Sequence, residues 1–172
     1  MPMKFINKIL FIIFTIFISN SLFSQENPFR NTNGHYLSPG IQASMPMAVR
    51  PIIGGEISYF YYFEKNPIYT GAFINTSYDF KLESVKSIAG GEFGFAFIGL
   101  DVGLIINSKK SSNRIGFIIK PQFNLPLTLS GFGNEDHLCY PFLSLFYGYN
   151  FVDRKYQYSE IGFMVKFPIK IH

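Results

Sequence analysis

The last fourteen residues, SEIGFMVKFPIKIH from Ser159 to His172, constrain the fold more than any other stretch. Ile161, Phe163, Val165, Phe167, Ile169 and Ile171 fall on one parity, and Glu160, Gly162, Met164, Lys166, Pro168 and Lys170 on the other. Side chains of a strand alternate faces with period 2, so this is a strand pattern. So long an apolar stripe must be covered, either by a second layer of protein or, in a closed barrel, by lipid.

The chain as a whole has much apolar surface to hide. Its 172 residues are 48% hydrophobic, 19% aromatic and 15% charged, against roughly 25% charged in an ordinary globular domain. Ahead of the strands, MPMKFINKILFIIFTIFISNSLFSQENPF combines a basic start at Lys4 and Lys8, an apolar run from about Ile9 to Ile18, and a small, polar stretch from Ser19 to Ser24. This pattern predicts a secretory signal peptide over 1–24, cleaved after Ser24, with Ser21 the second choice. The apolar run of about ten residues is short of the roughly twenty that a spanning helix needs. Without Lys4 and Lys8 the formal charge falls from +4 to +2 (13 − 11), too small for a nucleic-acid footprint, and no nucleic-acid partner is expected. Cys139 is the one cysteine, which excludes an internal disulfide.

Residues 25–35 (QENPFRNTNGH) are polar, with Pro and Gly, and read as a flexible lead-in. From 36 to 172 the chain is short extended segments separated by turn signals, with no convincing helical period. About eight strands are expected: near Tyr36 to Met47, Ile53 to Glu64, Ile68 to Phe80, two within SIAGGEFGFAFIGLDVGLIIN split near Phe97 to Gly99, Arg114 to Leu125, Cys139 to Phe151, and Tyr156 to Ile171. The longest connection, about Pro126 to Leu138, follows an even-numbered strand, an unusual place for it in an outer-membrane barrel.

One face of most strands is Ile, Leu, Val, Phe or Tyr. The other carries Glu56, Glu92, Asp101, Arg114, Lys120, Glu160 and Lys166, interleaved with Gly54, Gly94, Gly99, Gly103, Gly116 and Gly162. Both signs of charge on the glycine face suit a narrow barrel with an ion-paired interior and a lipid-facing wall. The fold expected is all-β: one antiparallel up-and-down transmembrane barrel, its lumen plugged by that charge network. With no Trp, an interfacial girdle falls to Phe and to tyrosines such as Tyr59, Tyr61, Tyr69, Tyr78, Tyr140, Tyr147, Tyr149, Tyr156 and Tyr158.

EIGFMVKF, Glu160 to Phe167, resembles the terminal-strand signal of bacterial outer-membrane barrels, with Glu160 at the polar position, Gly162 at the glycine, and Val165 and Phe167 at the hydrophobic ones. Barrels of this kind usually finish on an aromatic residue, whereas this chain continues PIKIH. The mature chain is similar to small eight-stranded OmpA/OmpX-type proteins, in the aromatic- and Asn-rich style of Bacteroidota. The resemblance implies a Gram-negative outer membrane, its lipid and its barrel assembly machinery as partners, and Glu160, Gly162, Val165 and Phe167 as an assembly signal.

No HExxH, P-loop, Rossmann fingerprint or GxSxG occurs, and no cofactor or metal is expected. The expected role is non-enzymatic: a structural or surface-interaction protein of the outer membrane. NSKKSSN and VDRKYQ, both basic, are candidates for contact with anionic lipopolysaccharide. One alternative is a lipid A deacylase or acyltransferase using His137 with Glu135 or Asp136 and Ser130, against which a solvated loop is the plainer reading. Another is a secreted or periplasmic soluble barrel holding a small apolar ligand.

Overall fold

The computed structural model describes residues 33–46, 51–63, 68–80, 83–95, 97–109, 112–127, 141–152 and 157–171. The expected signal peptide and most of the lead-in lie outside them, as do Ser130, Glu135, Asp136, His137, Cys139, Tyr140 and Tyr156.

Eight long strands follow in chain order: β1 (Gly34–Pro46), β2 (Ile52–Tyr62), β3 (Ile68–Asp79), β4 (Ser84–Phe95), β5 (Ile98–Lys109), β6 (Ser112–Pro126), β7 (Phe142–Phe151) and β8 (Gln157–Lys166). A two-residue β9 (Ile169–Lys170) continues the line of β8 along β1. Each strand pairs antiparallel with the next, and β1 pairs with both β2 and β8, so the sheet closes on itself. The result is an eight-stranded up-and-down barrel, with no helix among the described residues. Closure leaves no long unpaired edge.

The register fixes the shape. Stepping through paired residues from Gly34 to Tyr62, Tyr69, Gly94, Gly99, Gln122, Phe146, Gly162 and Ser44 returns to β1 ten residues further on (44 − 34 = 10). Eight strands with a stagger of ten tilt about 40° from the axis and enclose a radius of about 8 Å, room for side chains alone. A dozen tilted residues rise about 30 Å.

β1 starts two residues earlier than the sequence pattern placed it, taking in Gly34 and His35, whose ring accepts or donates a 2.6 Å hydrogen bond at Tyr59 Oη. The last strand is shorter than expected: β8 stops at Lys166 because Pro168 has no N–H to give to the ladder. Even so, Phe167 N donates to Pro39 O and Ile171 N to His35 O, which keeps the chain alongside β1. The connections β1–β2, β3–β4, β5–β6 and β7–β8 lie at one end of the barrel, called the far end. The other three share the near end with the entry into β1 and the exit from β8, so the long β6–β7 connection is at the near end.

Alternation decides which side chains go where. Outward positions include Ile41, Ile57, Ile74, Leu104, Ile115 and Ile161, each more than half exposed. Inward positions hold Glu56, Glu92, Asp101, Lys86, Lys120, Glu160 and Lys166, all essentially buried. Tyr69 and Tyr158, grouped above with the girdle, in fact point inward, because they share parity with Asn75 and Glu160. The interior also has two apolar clusters: Tyr36, Phe60 and Tyr69, with Tyr62 and Phe142 against them, toward the near end, and Phe73, Ile88, Ile105, Ile118 and Val152.

Candidate functional site

Five of the seven charged residues expected in the lumen meet in one cluster. Lys166 Nζ, from β8, sits 2.7 Å from both Glu56 Oε1 on β2 and Glu92 Oε2 on β4. Lys120 Nζ, from β6, sits 2.7 Å from Asp101 Oδ2 on β5 and 3.3 Å from Glu56 Oε2. Glu56 thus bridges two ammonium groups, and the cluster ties together five strands that are mostly not neighbours.

Neutral groups complete it. Lys166 donates to Ser58 Oγ at 2.9 Å, Ser58 Oγ donates to Glu56 Oε1 at 3.0 Å, and Asn75 Nδ2 donates to Glu56 Oε2 at 3.3 Å. Gln122 Nε2 donates to Asp101 Oδ1 at 3.0 Å. The Lys120 ammonium lies 5.1 Å from the ring centres of Phe73 and of Phe146, within cation–π range. Buried charges survive when paired and hydrogen-bonded; every charge of the cluster has a counter-charge, and Glu92 Oε1 is the carboxylate oxygen left with neither an ion pair nor a hydrogen bond among the described residues.

Glu160 belongs to a second, separate pair. Both its oxygens accept from Lys86 Nζ, at 2.7 and 2.9 Å, and Ser44 Oγ donates to Oε2 at 3.1 Å. Lys86 is on β4 and Glu160 on β8, half the circumference apart, so the pair crosses the lumen. Gly148 makes room for it: a Cβ there would come 2.9 Å from Glu160 Cγ. Arg114 faces inward but lies six residues from Lys120 along β6, about 20 Å of strand, and is outside the central cluster.

Sequence reasoning missed Lys86. It places the fourth strand from Ser87, whereas β4 begins at Ser84; the signal available was that Lys86 shares parity with Gly90, Glu92 and Gly94.

Glu56, Glu92 and Asp101 each bring one carboxylate oxygen within 4.8 Å of the others. Two lysine ammoniums already occupy these carboxylates, so the arrangement is an ion-pair lattice and a poor cage for a metal ion. Of the assembly-signal residues, Glu160 and Gly162 face the lumen, while Val165 and Phe167 face out.

A second built feature lies toward the near end. The Tyr69 ring rests on the paired glycines Gly94 and Gly99, and Asn124 Nδ2 donates to its hydroxyl at 2.9 Å. A Cβ at Gly94 would fall inside the Tyr69 ring, so only glycine allows the ring to lie against the wall. Gly94→Val is expected to cost about 1–3 kcal/mol by overpacking, against about 1 kcal/mol for Tyr69→Phe, which removes one hydrogen bond. Urea unfolding midpoints of the two variants check the order; equal losses would mean that the ring is not held against the glycines.

The geometry defines a class: a small closed antiparallel barrel with an ion-paired interior and an apolar outer wall. No protein-family profile, curated protein or solved structure matches the chain.

Proposed function

We propose that this chain is an integral outer-membrane barrel without catalytic activity, serving a structural or surface-interaction role. The observation that carries the reading is the inversion of polarity. Among the described residues, 29 large hydrophobic side chains are exposed and 11 are buried, while 20 buried residues are polar or charged. Water is the wrong solvent for such a wall: monomeric soluble proteins rarely expose contiguous apolar patches beyond a few hundred Å².

The order of side chains on the wall supports lipid. Tyr59, Tyr61, Phe63, Phe93 and Phe95 lie toward the near end, and Tyr78, Phe80, Phe117, Tyr149 and Phe151 toward the far end. Between them come Ile41, Ile57, Ile74, Val102, Ile119 and Ile161. Two aromatic belts flanking a largely aliphatic band, in which Tyr147 and Phe163 also face outward, suit the interfaces and core of a bilayer. No outward position between these belts is charged.

The predicted leader and the terminal-strand signature support an outer-membrane address of the OmpA/OmpX kind, reached through the barrel assembly machinery. The buried ion pairs and the aromatic cluster support a lumen closed to ions. Expression with the leader, followed by fractionation, is expected to recover the chain in the outer membrane as a band that shifts on boiling. Recovery as a soluble periplasmic protein would sink the proposal and revive the ligand-binding barrel.

A further inference from the structure

Each carboxylate of the central cluster meets an ammonium, yet the charges do not cancel. Glu56, Glu92 and Asp101 supply three negative charges against the two positive ones of Lys120 and Lys166. The Lys86–Glu160 pair is neutral by itself and absorbs none of the surplus. All five members of the cluster are essentially buried, and a buried group whose charge is not compensated neutralises itself through its proton.

The contacts single out one carboxyl. Glu56 is the best supported, reached by both ammoniums, by Ser58 and by Asn75. Asp101 has Lys120 at one oxygen and Gln122 at the other. Glu92 has Lys166 at Oε2 and no partner at Oε1, although it is only 1% exposed. Glu92 also stands directly opposite Asp101 in the β4–β5 ladder, an arrangement in which like charges repel. One oxygen of each, with one of Glu56, lies within 4.8 Å of the others. A hydroxyl at Oε1 would remove that repulsion and turn an acceptor without a donor into a donor among carboxylates.

The surrounding strands offer no other source of compensation. Around Glu92 they present Glu56 from β2, Tyr69 from β3, Asp101 from β5, Lys120 from β6 and Lys166 from β8. Lys86, on β4 itself, is six residues away and engaged by Glu160. The inward residues of β1 from Ser38 to Ser44, and of β7 from Ser144 to Asn150, carry no titratable group.

We propose that the folded barrel holds one proton on Glu92 at neutral pH, taken from water as the strands close, so that the central cluster is electrically neutral. The proposal rests on the closed lumen inferred above and holds whether lipid or water lies outside the wall. It makes the barrel a structure loosened by alkali: once that proton leaves, two carboxylates oppose each other across one rung of the sheet.

Infrared spectroscopy of the full chain, refolded in detergent, tests this on the native protein. At neutral pH the carbonyl stretch of one protonated carboxylic acid is expected, distinct from the carboxylate bands. It should shift when the chain is made with carbon-13 glutamate and vanish in Glu92→Gln, while Glu83→Gln, at an exposed acid, leaves it. Stability gives the second readout. Unfolded Glu92 loses its proton near pH 4.3, whereas the folded group keeps it. From there upward the native state binds one more proton than the unfolded state, and the folding constant of the native chain falls about tenfold per pH unit until the folded group itself titrates. Glu92→Gln imitates the protonated acid and lacks this slope, so the variant should gain at least about tenfold over the native chain between about pH 5 and pH 7. Glu56→Gln should instead lose stability across the range.

The absence of an acid band from the native chain overturns the proposal, as does a band that carbon-13 glutamate leaves in place, which would put the proton on an aspartate. So does a Glu92→Gln variant that fails to fold or that keeps the native pH slope, because either result makes the Glu92 charge part of the neutral-pH structure. Recovery of the chain as a soluble protein would end the membrane reading alone; the same spectra would then be taken in buffer.

Discussion

Replacing Lys166 with methionine is expected to destabilise the folded barrel by about 3–5 kcal/mol, the cost of stranding charge in a buried site. Its ammonium is the only group within 2.7 Å of both Glu56 and Glu92 among the described residues, and the side chain is essentially inaccessible. Methionine fills much the same volume, so the loss reports unpaired carboxylates more than a cavity. The pair need not be strongly stabilising for this to hold: replacing every member with apolar residues can be neutral, whereas removing one is not. Adding Glu56→Gln and Glu92→Gln to Lys166→Met should therefore recover part of the loss. The chain lacks Trp, so urea unfolding is best followed by circular dichroism and the gel shift. A loss under about 1 kcal/mol, the range of solvated pairs, would mean a lumen open to water.

Ile74→Arg provides the largest contrast between lipid and water around the wall. Ile74 is the seventh of twelve residues in β3 and 65% exposed. In a bilayer, arginine at mid-depth costs about 2–4 kcal/mol, falling to about 0–1 near an interface. In water, replacement of an exposed side chain is usually worth within about 0.5 kcal/mol. Ile68→Arg, on the same outer face at the start of β3, is the depth control. Expected in vesicles is a large loss at Ile74 and a small one at Ile68. Two small losses would place both sites in water and remove the basis of the membrane proposal.

Much of the architecture is legible because alternation and turn residues are local and repetitive signals. Eight strands, their faces and most of their boundaries follow from parity and turn residues, as with Glu56, Ser58 and Phe60 against Ile57 and Tyr59. Residue type misleads where it outranks parity: Tyr69 and Tyr158 have the residue type of a girdle, yet each shares a face with inward Asn75 and Glu160. Lys86 is the third residue of β4, ahead of the glycine-rich run that marks that strand in the sequence. What no local pattern holds is the partnering of charges: Lys166 meets Glu56 and Glu92, and Glu160 meets Lys86, because a stagger of ten rotates particular residues to the same depth. The apolar cluster of Phe73, Ile88, Ile105 and Ile118 within an otherwise polar lumen was hidden for the same reason.

The position of β8 has a consequence for assembly. This final long strand carries both Glu160 and Lys166, whose partners are on β4, across the barrel, and on β2, beyond β1. A sheet of the first seven strands would leave Lys86 and Glu92 without their counter-charges and Glu56 with only one of its two. It would also have open edges along β1 and β7. Such a sheet has no comfortable resting state, so the last strand completes the electrostatic complement and the circle of hydrogen bonds in one act. The barrel is thereby built to close as a unit, with its own carboxy-terminal strand as the latch.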